Sequence, residues 1–118
     1  MVEFAIDFYK VNRDLCLDDE RILETMIKSL KNNGAHIISS SRYHCGHNSP
    51  PGIITFCMID ESFFYCHSYA DRGEMAVNVF TCGHIDTQKV LDDFVSGLNL
   101  NLDNAIINKI NRFNKYDK

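Results

Sequence analysis

Strands bunched in the middle of the chain and helices set apart from one another predict an α+β fold. Three observations carry this reading. The apolar spacing alternates between periods of two and 3.6 in the order β-α-β-β-β-β-α-β, which favours a two-layer α/β sandwich with an antiparallel sheet and both helices on one face. Asp71-Arg72-Gly73 suits a three-residue hairpin loop between adjacent strands. Several strands are apolar on both sides, so the sheet face away from the helices is expected to meet a second sheet, and the chain to dimerise. At 118 residues, 45% hydrophobic and 24% charged, with six Gly and two Pro, the chain is one domain, residues 1–118, and neither disordered nor collagen-like.

Each element has a local cause. Glu3–Val11 reads as a first strand, because Phe4, Ile6 and Phe8 alternate with Ala5, Asp7 and Tyr9. Asp14 or Asp18 can cap the helix that follows, with Asp19 and Glu20 suiting the positive end of its dipole. Ile22, Leu23, Met26, Ile27 and Leu30 form one helical stripe, ended by Asn33-Gly34. Ala35–Tyr43 is a second strand, followed by a turn-rich stretch, Cys45–Gly52. Ile53–Asp60, Phe63–Tyr69 and Met75–Thr81 are the third to fifth strands. Asp86–Leu98 is a second helix with Val90, Leu91, Phe94, Val95 and Leu98 facing inward, and Ala105–Phe113 a final edge strand before a polar tail expected to fray.

Charge and cysteine usage narrow the function. Twelve Lys and Arg against 16 Asp and Glu give a net charge of −4, which argues against a sequence-independent grip on nucleic acid. No apolar run approaches the ~18 residues of a membrane span, and Met1–Lys10 lacks a signal-peptide layout, so no membrane partner is expected. Five cysteines without a C-x-x-C pair read as reduced thiols, hence a cytoplasmic location. Four are expected to be packing, with Cys82 set apart by what it faces. His44, Cys45, His47, Cys66, His67, Cys82 and His84 lack a standard zinc spacing, so no metal is expected. The Tyr43–His47 stretch reads instead as a pocket-lining loop.

If Ala70 pairs with Glu74, the same register places Ser62 opposite Cys82, a hydroxyl facing a thiol at the open end of a hairpin. Glu61 precedes the serine. His67 lies further along the strand on the other face, and would reach Ser62 only if the strand bent. A serine hydroxyl beside a strained peptide bond can attack the preceding carbonyl, here that of Glu61. Elimination of the resulting ester leaves dehydroalanine, and its hydrolysis gives a pyruvoyl group. That ketone forms a Schiff base with a substrate amine and acts as an electron sink during decarboxylation. A nearby thiol can return the proton. The plainer reading stays open on these residues alone: Ser62 begins a strand and Cys82 ends one.

The segment from Ile59-Asp60-Glu61-Ser62-Phe63-Phe64-Tyr65-Cys66-His67 to Asp71-Arg72-Gly73, continuing into Val79-Phe80-Thr81-Cys82-Gly83, resembles the processing region of the short prokaryotic-type S-adenosylmethionine decarboxylases. Phe-Thr-Cys-Gly is that family's most legible signature. The resemblance covers about residues 3–98, most closely 59–83. It implies cleavage between Glu61 and Ser62 into a β chain, 1–61, and an α chain, 62–118. It implies a pyruvoyl cofactor from Ser62, His67 assisting the elimination, and Cys82 as proton donor. Asp71 stands where the family has a glutamate that binds the ribose of S-adenosylmethionine. The product would supply spermidine biosynthesis, and the processed protomers would form a homodimer.

Four departures accompany the match. Phe63 replaces the histidine after the processing serine, and Tyr69-Ala70 replaces Trp-Pro. Ile54 stands where the family has a serine that helps position the cleaving bond, and the neighbouring Thr55 points to the opposite face. The His44–Pro51 loop is about two residues longer than the family's and lacks its adenine-stacking phenylalanine. These keep two alternatives in play: a pyruvoyl decarboxylase acting on ornithine or arginine, and an uncleaved, catalytically silent regulatory paralogue.

Overall fold

The computed structural model describes residues 1–113. Six strands, β1 (Val2–Phe8), β2 (Ile37–Cys45), β3 (Gly52–Ile59), β4 (Ser62–Tyr69), β5 (Glu74–Thr81) and β6 (Ala105–Asn111), form one antiparallel sheet in the order β2-β3-β4-β5-β1-β6. Three helices, α1 (Arg13–Cys16), α2 (Asp19–Asn32) and α3 (Thr87–Leu98), complete it. The expected α+β class and antiparallel sheet hold, and β6 is an edge strand, paired only to β1. The polar tail lies in residues 114–118, outside the described residues.

The boundaries differ from the sequence reading for local reasons. The first strand stops at Phe8 rather than Val11, because Val11 N–H donates to the Gly73 carbonyl outside the ladder, at 2.8 Å. Asn12 and Asp18 both cap helices, so one expected helix becomes the short α1 and the longer α2. The second strand starts at Ile37 and runs on past Tyr43 to Cys45, which places His44 and Cys45 in β2 instead of a loop. His44 and Arg42 reach Asp19 at 3.4 and 3.1 Å, tying β2 to the first turn of α2.

The core lies between the helices and one face of the sheet. Ile22, Met26 and Leu30 of α2, and Val90, Leu91, Phe94 and Leu98 of α3, are buried against Phe4, Ile6, Phe8, Phe64, Val77 and Val79. Leu23 and Ile27, the other members of the α2 stripe, pack at its margin. Phe64 meets Phe94 edge-to-face at 5.0 Å. Gly52 permits a close backbone approach: a Cβ there would lie 1.9 Å from the Ser68 carbonyl oxygen. Ser68 Oγ locks the same junction, accepting from Ile53 N–H at 3.0 Å and donating to the Cys16 carbonyl at 2.6 Å.

The other face of the sheet carries no helix. Ile54 and Met58 of β3 and Tyr65 of β4 lie there, 40%, 46% and 36% exposed. Phe56, Tyr65, Phe63 and Phe80 form a chain of ring contacts across this face, at 6.4, 5.9 and 5.6 Å between centroids. So large an apolar surface left bare is unusual for a soluble monomer.

Candidate active site

The β3–β4 turn is two residues long, Asp60-Glu61, because Ile59 pairs directly with Ser62. Glu61 sits in the left-handed region, φ +66°, a turn position that Gly or Asn normally takes. For a glutamate this conformation costs about 1–2 kcal/mol. Strain therefore resides next to the Glu61–Ser62 peptide bond. Replacing Glu61 with Gly is expected to stabilise the uncut chain by up to about 1 kcal/mol. The urea midpoint of a Ser62→Ala background with and without the change measures it.

Ser62 opens β4 and is half-buried. Its Oγ accepts a hydrogen bond from the Cys82 backbone N–H at 3.0 Å. Cys82 follows the last residue of β5, and Gly83, φ +69°, turns the chain away toward α3. The segment is anchored on both sides: Thr81 hydrogen-bonds the Thr87 hydroxyl and donates to the Ile85 carbonyl at 3.4 Å. Glu61 and Cys82, with Met1, Phe80, Gly83 and Phe113, line a cavity of about 580 Å³. Apart from the carboxylate and the thiol, its side chains are apolar.

The hairpin register is one residue away from the expected one. Tyr69, not Ala70, pairs with Glu74, and Phe63 pairs with Phe80, so the ladder does not set Ser62 directly against Cys82. The cause is Ala70, whose N–H goes to the Pro51 carbonyl at 2.9 Å and leaves a four-residue connection, Ala70–Gly73. Ser62 and Cys82 still meet, through the serine oxygen and the cysteine backbone.

Cys82 is the one half-buried cysteine; Cys16, Cys45, Cys57 and Cys66 are buried. Burial pushes the Cys57 thiol up to about 11 and raises those of Cys16 and Cys66. Those three thiols therefore stay protonated at neutral pH and behave as packing groups. No three His, Cys, Asp or Glu side chains among the described residues are grouped to hold a metal ion.

His67 and Asp71 lie elsewhere. β4 is continuous from Ser62 to Tyr69, without the bend that would be needed to bring the imidazole back. Five residues of strand separate His67 from Ser62 by roughly 16 Å. His67 lies on the bare face, directly across from Ile54, its ring 4.6 Å from that of Tyr69. Thr55 points the other way, fully buried with its hydroxyl on the Met26 sulfur at 2.9 Å, so it does not replace the missing serine. Asp71 is at the far end of the β4–β5 hairpin, paired with Arg13 at 2.9 Å. Phe63 packs among Tyr65 and Phe80 on the bare face.

Sequence reasoning missed the cavity walls. Phe80 read only as part of a signature, and Phe113 as the end of a strand. Arg112 was invisible: its guanidinium binds Glu3 at 2.7 Å and lies over both the Phe80 and Phe113 rings, at 5.9 and 5.4 Å. No local pattern marks such a contact, because Glu3 and Arg112 are brought together by the β1–β6 pairing.

Fold and site together define an α/β sandwich in which a serine, next to a left-handed hairpin residue and bonded to a cysteine backbone, adjoins an apolar cavity lined by those two neighbours. Residues 2–112 match the family model described as S-adenosylmethionine decarboxylase. The chain belongs to the S-adenosylmethionine decarboxylase family. It is 33% identical over 95 residues to the S-adenosylmethionine decarboxylase proenzyme of Brevibacillus brevis, covering 80% of this chain and 69% of that one. It is 36% identical over 84 residues to the proenzyme of Pyrobaculum islandicum, covering 70% of this chain and 66% of that one. The crystal structure of the adenosylmethionine decarboxylase from Aquifex aeolicus shares the fold, with a TM-score of 0.73 at 24% identity, over 92% of this chain and 85% of that one. No helix among the described residues is long and apolar enough to cross a membrane.

Proposed function

We propose that the chain is a proenzyme that cuts itself between Glu61 and Ser62, into residues 1–61 and 62–118, and then decarboxylates S-adenosylmethionine. The observation that carries the reading is the Ser62 Oγ held at 3.0 Å by the Cys82 N–H, immediately after a left-handed Glu61. Family membership supports the substrate, and the relatives' printed names, proenzymes, support the self-cleavage.

In cleavage, Ser62 Oγ adds to the Glu61 carbonyl carbon and its proton passes to the departing amide nitrogen, so an ester replaces the peptide bond. Removal of the Ser62 Cα proton then breaks the Cβ–O bond and releases Glu61 as a carboxylate. The Cys82 N–H already points at the oxygen that gains negative charge in that step. Water adds to the dehydroalanine left behind and ammonia departs, giving a pyruvoyl group at position 62. Ser62 fits this role: it is half-buried, at a strand terminus, and adjoins the cavity residues Glu61 and Cys82. The ketone supplies an electron sink for the carbanion formed when carbon dioxide leaves. The Cys82 thiol, on the cavity wall, returns a proton to that carbanion.

His67 is assigned the base that removes the Ser62 Cα proton, and Asp71 the acceptor for the ribose hydroxyls. Both are too far along the hairpin to serve Ser62 of the same copy, so a second copy supplies them. The bare aromatic face supports that assembly: two sheets packed face to face about a two-fold axis across β4 set the His67 end of one strand over the Ser62 end of the other.

Mass spectrometry of the purified protein tests the first half of the reading: two fragments, the larger-numbered one blocked by pyruvoyl, are expected. Release of carbon dioxide from S-adenosylmethionine, ornithine and arginine tests the second. Turnover of an amino acid alone would replace the assigned substrate. Cys82→Ala keeps the backbone N–H that faces Ser62. It is therefore expected to leave cleavage largely intact while lowering decarboxylation about 100-fold or more. Equal loss of both steps would remove the thiol from its assigned role.

A further inference from the structure

We infer that Tyr69 is a positioning residue for self-cleavage: its ring holds the His67 imidazole in the orientation that removes the Ser62 Cα proton of the other copy. This rests on the role given to His67 above and extends it to a residue that the reading does not use.

A general base acts only when its lone pair is aimed at the proton, so something must fix the ring that carries it. Among the described residues, no hydrogen bond fixes the His67 ring. What stands against it is the ring of Tyr69, 4.6 Å away between centroids and tilted by 32°. His67 and Tyr69 are two residues apart on β4, both half-buried, so both side chains stand on the bare face of the sheet. Tyr69 is clamped in turn. The Arg72 guanidinium lies 5.4 Å over its ring. Glu74, directly across the ladder from Tyr69, bonds that guanidinium at 2.6 Å. The chain of contacts therefore runs from the hairpin end through Glu74, Arg72 and Tyr69 to the imidazole.

An aromatic ring suits this task better than bulk alone. A flat imidazole laid on a flat ring loses rotational freedom while both nitrogens stay open, one of them as the proton acceptor. When the imidazole takes the proton it becomes a cation, which the negative face of the ring favours. Glu74 balances the charge of Arg72, so Tyr69 is clamped without an uncompensated cation beside a base that must itself become cationic. A branched aliphatic side chain of similar size supplies neither the flat surface nor the favourable field.

The test follows self-cleavage of newly synthesised full chains of the wild type, Tyr69→Leu, Tyr69→Phe and His67→Ala. Tyr69→Leu is expected to be cut about 10-fold more slowly than wild type, part of what a well-aimed base contributes. Hydroxylamine should reveal an ester accumulating in it, because the acyl shift precedes the step that His67 serves. Tyr69→Phe, which keeps the ring and drops the hydroxyl, should process close to the wild-type rate. Sedimentation should find the same dimer in every variant. Equal rates for Tyr69→Leu and Tyr69→Phe overturn the inference. So does slowing of Tyr69→Leu without ester, or slowing that comes with loss of the dimer, which would make Tyr69 a residue of assembly. Normal cleavage of His67→Ala removes the role of His67, and the inference with it, while leaving self-cleavage at Ser62 standing. A wild-type chain that stays whole overturns the proenzyme reading and the inference together.

Discussion

Replacing Ser62 by alanine leaves one uncut chain of 118 residues, with a free amino terminus only at its start. Wild-type protein under the same purification is expected to give residues 1–61 and 62–118. The effect is all-or-none, because no other hydroxyl stands on the residue after the strained Glu61. The variant is expected to fold. Ser62 is half-buried and makes one described hydrogen bond, so its loss costs about 1 kcal/mol at the Cys82 N–H. An intact mass together with an unchanged circular dichroism spectrum is the predicted result. Cleavage of Ser62→Ala at the same place would assign the cut to a contaminating protease. A wild-type chain that stays whole would make the protein a silent paralogue, a role for which Ile54 beside His67 is the structural argument.

The second large effect concerns His67. Alone, His67→Ala is expected to stop processing at the ester stage, detectable because hydroxylamine cuts an ester and leaves a peptide bond whole. Co-expressed with Ser62→Ala, the same His67→Ala chain is expected to be cleaved. In a mixed dimer its intact Ser62 meets the intact His67 of the other copy. The reasoning is geometric: β4 is unbroken, and five residues of strand put the imidazole roughly 16 Å from the serine of its own chain. A small mass tag on one chain identifies which was cut. Failure of the pair to complement, with mixed dimers demonstrated, would sink the shared-site assignment. Normal processing of His67→Ala by itself would remove the histidine from cleavage altogether.

Much of the fold was legible because it depends on short-range periodicity. The alternation of Phe4, Ile6 and Phe8, and the stripes Ile22-Met26-Leu30 and Val90-Phe94-Leu98, recur in the core as read. What failed was competition between hydrogen-bond partners. Of the two candidate caps, Asp14 or Asp18, Asp18 does cap the long helix, but Asn12 caps a separate short one before it and so splits one element into two. The hairpin register slipped by one because the Ala70 N–H bonds Pro51, nineteen positions earlier, a partner that no turn rule contains. Even so, the pairing of Ser62 with Cys82 survived in another form, since the serine oxygen found the cysteine backbone instead of facing its side chain.

The sequence by itself determined the fold class, the family motif, the serine and the cysteine, and the bare apolar face. All of these are written in residue identity and spacing within a single strand or helix. Only the tertiary structure decided that His67 and Asp71 lie away from Ser62, that Glu61 bears a left-handed backbone, and that Phe80 and Phe113, with Arg112 over both rings, wall a cavity beside Cys82. The physical reason is range. Periodicity reports which side of an element faces apolar surroundings. Distance along a stiff strand and contacts between chain ends exist only once the sheet has closed in the order β2-β3-β4-β5-β1-β6.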